Sequence, residues 1–312
     1  PLMNTNLRYK PDENAGEFKT VFRYNGQNIL QHAEQCNGSG DCRKSHLIGG
    51  TMCPSYMASR DEKDTTRARA NVLRTYLTNS KKLNRFDHPE IKEVMDLCIS
   101  CKGCKAECPS NVDMAKLKAE FLQHYQDANG IPLRSLLISN FSTIAGLGSA
   151  FPRLYNFIMT GRGISEMMKT LIGFNVKRSM PLLNQTTMRA WFKEHRNFSK
   201  AGNPSSNDSK VVYLFCDEFT NYQDTPIGIQ TVLLLERLGY EVRITQHSES
   251  GRASISKGLL RKARRIAHKN IVYLSPVISR KTPLIGVEPS AILTFRDEYL
   301  DLVDESYLKD AE

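Results

Sequence analysis

The 312-residue sequence predicts two unlike parts: a helical domain over residues 1–198 organised around cysteines, and a partial doubly wound α/β domain over 211–312. Three observations predict this division. Seven of the eight cysteines lie between residues 36 and 108, among segments of helical periodicity. Residues 199–210, Ser-Lys-Ala-Gly-Asn-Pro-Ser-Ser-Asn-Asp-Ser-Lys, have the small, polar, Gly- and Pro-broken composition of a linker. Directly after it, residues 211–215 form a continuous apolar run, as in a buried parallel strand.

Taken in order, residues 1–26 are polar and irregular, ending in a stretch at 20–24 expected as a short strand. Residues 27–35 read as a helix with Ile29, Leu30 and Ala33 on one face, delivering Cys36 at its end. Gly38, Gly40, Gly49 and Gly50 allow tight backbone paths through the loop that follows. A helix over 64–78 carries the stripe Val72, Leu73, Tyr76 and Leu77. Pro89 opens another as a first-turn residue, and Val94, Leu97 and Cys98 end it. Ser110 or Asn111 is expected to cap a long helix with Met114, Leu117, Phe121, Leu122 and Tyr125 at helical spacing, a stripe read as core. Asn129-Gly130 and Pro132 end that helix.

Residues 135–152 hold no charge, but their serines, threonine, asparagine and glycines are too polar for a membrane span of ~20 apolar residues. A buried helix or a partner-facing surface is expected there. A helix over 183–195 carries the single tryptophan, Trp191. In the α/β part a helix is expected over 228–238, closed by Gly239, and strands over 241–245, 271–274 and 284–287. A basic amphipathic helix over 257–268 lies between them. This strand–helix alternation is what predicts a doubly wound domain.

The cysteines carry the chemistry. Residues 98–109 read Cys-Ile-Ser-Cys-Lys-Gly-Cys-Lys-Ala-Glu-Cys-Pro, which is C-x2-C-x2-C-x3-C-P throughout. Cys98, Cys101 and Cys104 can wrap one face of an iron–sulfur cubane, while Pro109 directs Cys108 elsewhere. In two-cluster ferredoxins the fourth cysteine of such a run serves the other cluster. An upstream set exists: Cys36, Cys42 and Cys53, the last followed by Pro54. Superposing the runs puts Ser39 at the position of Cys101, with an insertion over 43–52 before Cys53-Pro54. Exchanging the fourth ligands yields a complete site from Cys98, Cys101, Cys104 and Cys53. The other site has Cys36, Cys42 and Cys108, its fourth corner open to a three-iron cluster, to a four-iron cluster with Ser39, His46 or water, or to no cluster. The cofactors expected are therefore one or two clusters, [4Fe-4S] with one as [3Fe-4S] in the open-corner case. Structural zinc usually takes separated C-x2-C pairs or Cys/His mixtures, which this pattern lacks. Cys216, alone at the end of the first strand, reads as a small buried hydrophobe.

The cluster spacing argues against disulfides, and a reducing cytoplasm, at most the inner face of a membrane, is the expected compartment. The net charge of +10 belongs wholly to residues 1–208, because residues 209–312 carry 14 basic and 14 acidic residues. Arg43, Lys44, Lys102 and Lys105 beside the cysteines suit an anionic cluster, and no nucleic-acid-binding motif accompanies them. Loops at 217–222, 250–252 and 288–290 follow strand ends, where open α/β sheets place their sites.

With these residues in hand, the chain resembles the iron–sulfur portion of bacterial FAD-linked oxidases of the D-lactate, D-2-hydroxyglutarate and glycolate oxidoreductase type. Residues 35–44, 50–56, 96–113 and 288–298 carry the resemblance. It implies a helical ferredoxin domain, then the first repeat of a cysteine-rich domain of the heterodisulfide-reductase type. It also implies that FAD sits in a part not present here, or in a partner subunit. Where relatives often carry Cys-Cys-Gly, this chain has Glu249-Ser250-Gly251-Arg252, and Ala291 stands where a cysteine can occur, so no third cluster is expected. The chain is expected to be an internal fragment of a longer polypeptide. The function expected is electron transfer from a flavin to an acceptor, whether quinone, cytochrome or soluble carrier. A structural iron–sulfur or zinc module without redox cycling is the alternative. No residue stands out as an acid, base or nucleophile, so the chain alone is not expected to turn over substrate.

Overall fold

The computed structural model describes residues 16–202 and 210–312. Contacts divide the chain into two compact units, Pro1–Gly130 and Ile131–Glu312.

The first unit contains α1 (Ile29–Glu34), α2 (Pro54–Ser59), α3 (Thr66–Asn79), α4 (Pro89–Asp96), α5 (Gly103–Glu107) and α6 (Met114–Asn129). Helix α3 is its centre and packs against α1, α4 and α6. Its buried side chains, Thr66, Arg69, Ala70, Leu73 and Leu77, recur at helical spacing. Thr65 caps it, accepting the Ala68 N–H at 2.9 Å. Helix α6 is capped by Asp113, whose carboxylate accepts the Lys116 N–H at 3.0 Å. The cap therefore lies beyond the expected Ser110 or Asn111; Asn111 instead turns the chain with φ of 52°. The strand expected over 20–24 is not formed. The backbone N–H groups of Val21 and Phe22 donate to the Glu120 carboxylate at 2.7 and 2.8 Å, leaving no ladder for a strand to join.

The second unit begins with α7 (Leu133–Ser139), α8 (Phe141–Gly148), α9 (Pro152–Thr160), α10 (Ile164–Ile172) and α11 (Met188–Gly202). An alternating region follows: β1 (Lys210–Phe215), α12 (Glu218–Tyr222), α13 (Thr225–Arg237), β2 (Tyr240–Arg243), α14 (Arg252–Ser256), α15 (Leu260–Leu274) and β3 (Leu284–Gly286). Helices α16 (Pro289–Arg296), α17 (Glu298–Leu302) and α18 (Glu305–Ala311) complete it. The sheet is parallel in the order β2-β1-β3, so the winding reverses at β1. The strand expected over 271–274 is instead the last turn of α15. There Ile271 and Leu274 continue the buried face of Ala263, Ile266, Ala267 and Asn270.

Of the expected linker, residues 199–202 continue α11 and Lys210 opens β1, while 203–209 lie outside the described residues. The units divide earlier, after Gly130, because α11 belongs to the α/β core. Met188 and Phe192 pack there with Val212, Leu214, Cys216, Val232 and Val242. The uncharged stretch 135–152 is two short helices joined at Asn140, and among the described residues no helix is long and apolar enough to cross a membrane. Much of its surroundings is exposed and apolar: Leu147, Phe151, Phe157, Met167 and Leu171 are each more than 60% accessible.

Candidate iron–sulfur site

Two loops and the start of α3 enclose one cavity of ≈ 320 Å³, counting solvent at its mouth, lined by Cys53, Cys98, Cys101 and Cys104 together with Thr66, Arg69 and Met114. The thiols arrive from sequence blocks 45 residues apart. Cys98 follows the last turn of α4, where its N–H donates to Met95 O at 3.1 Å. Cys104 lies in α5, buried, and accepts the Met114 N–H at 3.4 Å. Burial pushes its thiol up to about 12, so the thiolate needs a compensating cation. Cys101 is exposed at the mouth.

The loops carry a signature of backbone strain. Six non-glycine residues have positive φ among the described residues, and three of them, Cys53 (55°), Ser100 (56°) and Lys102 (61°), line this cavity. A left-handed L-residue costs about 1–2 kcal/mol, and such residues gather where backbone N–H groups must face an anion. Close packing joins the loops. A Cβ on Gly103 would approach Thr51 O to 2.9 Å, so only glycine lets α5 lie against Thr51. The Glu107 carboxylate accepts the Thr51 N–H at 2.6 Å and the Met52 N–H at 3.2 Å, and its carboxyl is held below the usual range by the Thr51 bond. This tie seats the 43–52 insertion beside the second cysteine run.

Cys53 is the junction. Its sulfur accepts the Thr66 N–H at 3.0 Å and lies 2.8 Å from Thr66 Oγ1. Cys42 neighbours it closely enough that one sulfur stabilises the other's thiolate, lowering Cys42 and raising Cys53. Arg67 faces both Cys42 and Cys36 and is itself paired with Glu62 at 2.7 Å. Cys108 closes the short α5, its N–H donating to Cys104 O at 2.9 Å. Ser39 is exposed, its N–H bonded to Asn37. His46 is exposed, with Nδ1 at 2.9 Å from Arg60 Nη2.

Donor set, cavity and strain fit an iron–sulfur group, and one orphaned atom strengthens the fit. Arg69 is buried to 2% side-chain exposure, yet its Nη2 makes no hydrogen bond. Among the described residues no three His, Cys, Asp or Glu side chains close on a point as one metal ion requires. In an iron–sulfur group each iron takes one thiolate, so its ligands need not close on a single point. Sequence reasoning missed Thr66, Arg69 and Glu107. The one available signal was Arg69, a cation on the buried stripe of α3.

Of the strand-end loops of the α/β part, those at 217–222 and 250–252 come together, but they bond to one another, while Glu288 bonds within its own turn to Ser290 and the Ala291 N–H. Glu218 accepts Ser250 N–H at 2.8 Å and Ser250 O–H at 2.7 Å, and Tyr299 O–H donates to Ser250 O at 2.9 Å. Burial raises Glu218 to about 7. Cys216 is buried, its thiol pushed up to about 12 by that burial, and its N–H donates to His247 Nε2 at 3.1 Å.

Residues 35–113 match the family of 4Fe-4S dicluster domains. The particular likeness is to D-2-hydroxyglutarate dehydrogenases. The chain is 27% identical to that of Escherichia coli (strain K12) over 86% of its length, and 26% identical to that of Pantoea ananatis over 88%. The enzyme of Pseudomonas putida is 26% identical over 86%. The chain spans about 30% of the length of each of these relatives. No solved structure matches it.

Proposed function

We propose that the chain is the electron-transfer module of an FAD-linked 2-hydroxy-acid oxidoreductase, with D-2-hydroxyglutarate as the acid. The observation that carries this is the convergence of Cys53 with Cys98, Cys101 and Cys104 on one cavity. These four hold a [4Fe-4S] cluster. Cys36, Cys42 and Cys108 serve a second cluster, [3Fe-4S] or completed at its open corner by Ser39, His46 or water. Cys42 and Cys53, near enough to shift each other's thiols, then bring the two clusters' ligands close together.

Such clusters supply one-electron transfer. A reduced flavin yields two electrons, so two adjacent one-electron sites match its output. The chain's own residues position the thiolates, exclude water on the Cys104 side and supply cations. The flavin-bearing part of the polypeptide, or a separate subunit, covers the exposed apolar helices around Phe151, Phe157 and Leu171. A quinone, cytochrome or soluble carrier takes the electrons onward.

The test uses the full-length polypeptide with its flavin part. Anaerobic D-2-hydroxyglutarate should bleach the flavin and then reduce the clusters. Flavin bleaching with clusters that stay oxidised, or zinc in place of iron on metal analysis, would refute the proposal.

A further inference from the structure

We infer that Arg69 and Thr66, one turn apart on α3, act as positioning residues that raise the reduction potential of the group held by Cys53, Cys98, Cys101 and Cys104. This rests on the cluster reading of that cavity.

The Arg69 guanidinium is fixed by Nε to Val94 O at 2.6 Å, and by Nη1 to Asp64 O at 2.6 Å and Ser55 Oγ at 3.0 Å. Three bonds on two nitrogens leave Nη2 without a hydrogen bond; it is held only by an ion pair of 3.6 Å with Asp64 Oδ1, and Asp64 Oδ2 also lacks a hydrogen bond. An unmade hydrogen bond on a buried charged group is expensive, and such a group persists when its acceptor lies in the adjoining space. Arg69 lines the four-cysteine cavity, and an anionic, thiolate-ligated cluster is an acceptor of that kind. Thr66 adds two contacts from the same helix to the Cys53 sulfur, its N–H at 3.0 Å and its Oγ1 at 2.8 Å.

Reduction adds one negative charge to the cluster. A nearby cation and donors to a ligand sulfur favour that added charge, so they raise the potential. Asp64, the partner of Arg69, opposes them. A purely structural role for these residues predicts lost folding or lost iron but no ordered set of potentials.

The experiment is a redox titration, read by electron paramagnetic resonance, of the anaerobically reconstituted chain. Iron and sulfide contents are measured first. Thr66→Val should lower the reduction equilibrium about tenfold, equivalent to 59 mV for one electron, and Thr66→Ser should restore it. Arg69→Met should lower it further, whereas Asp64→Asn should raise it. Should Arg69→Met fail to hold iron, the opposite shifts of Thr66→Val and Asp64→Asn decide the matter. Cluster-loaded variants with the wild-type potential overturn this inference alone. A wild-type chain that takes up no cluster overturns the cavity reading with it.

Discussion

The Glu107 carboxylate reaches across 56 residues of sequence to accept the Thr51 N–H at 2.6 Å. The bond joins the α5 turn of the second cysteine run to the backbone just before Cys53. Glu107→Ala is therefore expected to release the 43–52 segment and misplace Cys53. Iron content of the purified chain should fall and air bleaching should quicken, while the far-UV helix signal stays near wild type. Unchanged iron content would show that the tie is dispensable.

A second prediction follows from the proposed second site, in which Ser39 stands where a fourth thiolate would. An iron without a thiolate is the one most readily lost, so Ser39→Cys is expected to raise the iron-to-protein ratio or oxygen tolerance. An identical ratio and identical resonance spectrum would count against grouping Cys36, Cys42 and Cys108.

Exposed apolar side chains in the second unit supply a third. The double substitution Phe157→Ser and Leu171→Ser should improve the solubility of this chain alone and weaken its capture of the flavin-bearing part. Binding of that part at wild-type affinity would place its contact elsewhere.

A fourth concerns pH. Burial raises Glu218 from 4.5 to about 7, so the folded state resists ionising a carboxyl that the unfolded chain ionises freely. The contribution of this carboxyl to stability is therefore full below 4.5 and is lost as pH rises through about 7. The full effect is about 3 kcal/mol, or roughly 6–12 °C in Tm. Glu218→Gln keeps an acceptor for Ser250 and should flatten most of that decline. A residual slope from Asp217 and Glu249, both also raised by burial, should persist. Parallel melting curves for the two proteins between pH 5 and 8 would contradict this.

What the sequence made legible was what depends on local pattern. The helices α1, α3, α4 and α6 and the strands β1 and β2 follow from periodicity, capping residues and glycine stops. Where tertiary partners decide, the pattern misled. The segment at 20–24 is β-like in composition, but Glu120 takes its N–H groups. Residues 271–274, Ile-Val-Tyr-Leu, are apolar and open on two β-branched side chains, yet they complete a helix face. Cysteine spacing named the candidate ligands because cluster geometry constrains spacing itself. Thr66 carries no such local mark, and Arg69 only that of a cation on the buried stripe of α3. Their placement depends on α3 running past the cavity, a contact between segments far apart in sequence.

The proposed electron-transfer role stands on a redox-active cluster held by Cys53, Cys98, Cys101 and Cys104. The most direct measurement is a reductive titration of the anaerobically reconstituted chain, followed by electron paramagnetic resonance, with Cys101→Ala and Cys36→Ala beside the wild type. A reversible iron–sulfur signal is expected in the wild type. It should vanish in Cys101→Ala, with loss of helix over much of residues 30–130, and survive in Cys36→Ala. A wild-type chain without a reducible cluster, or a signal that survives in Cys101→Ala, would contradict it.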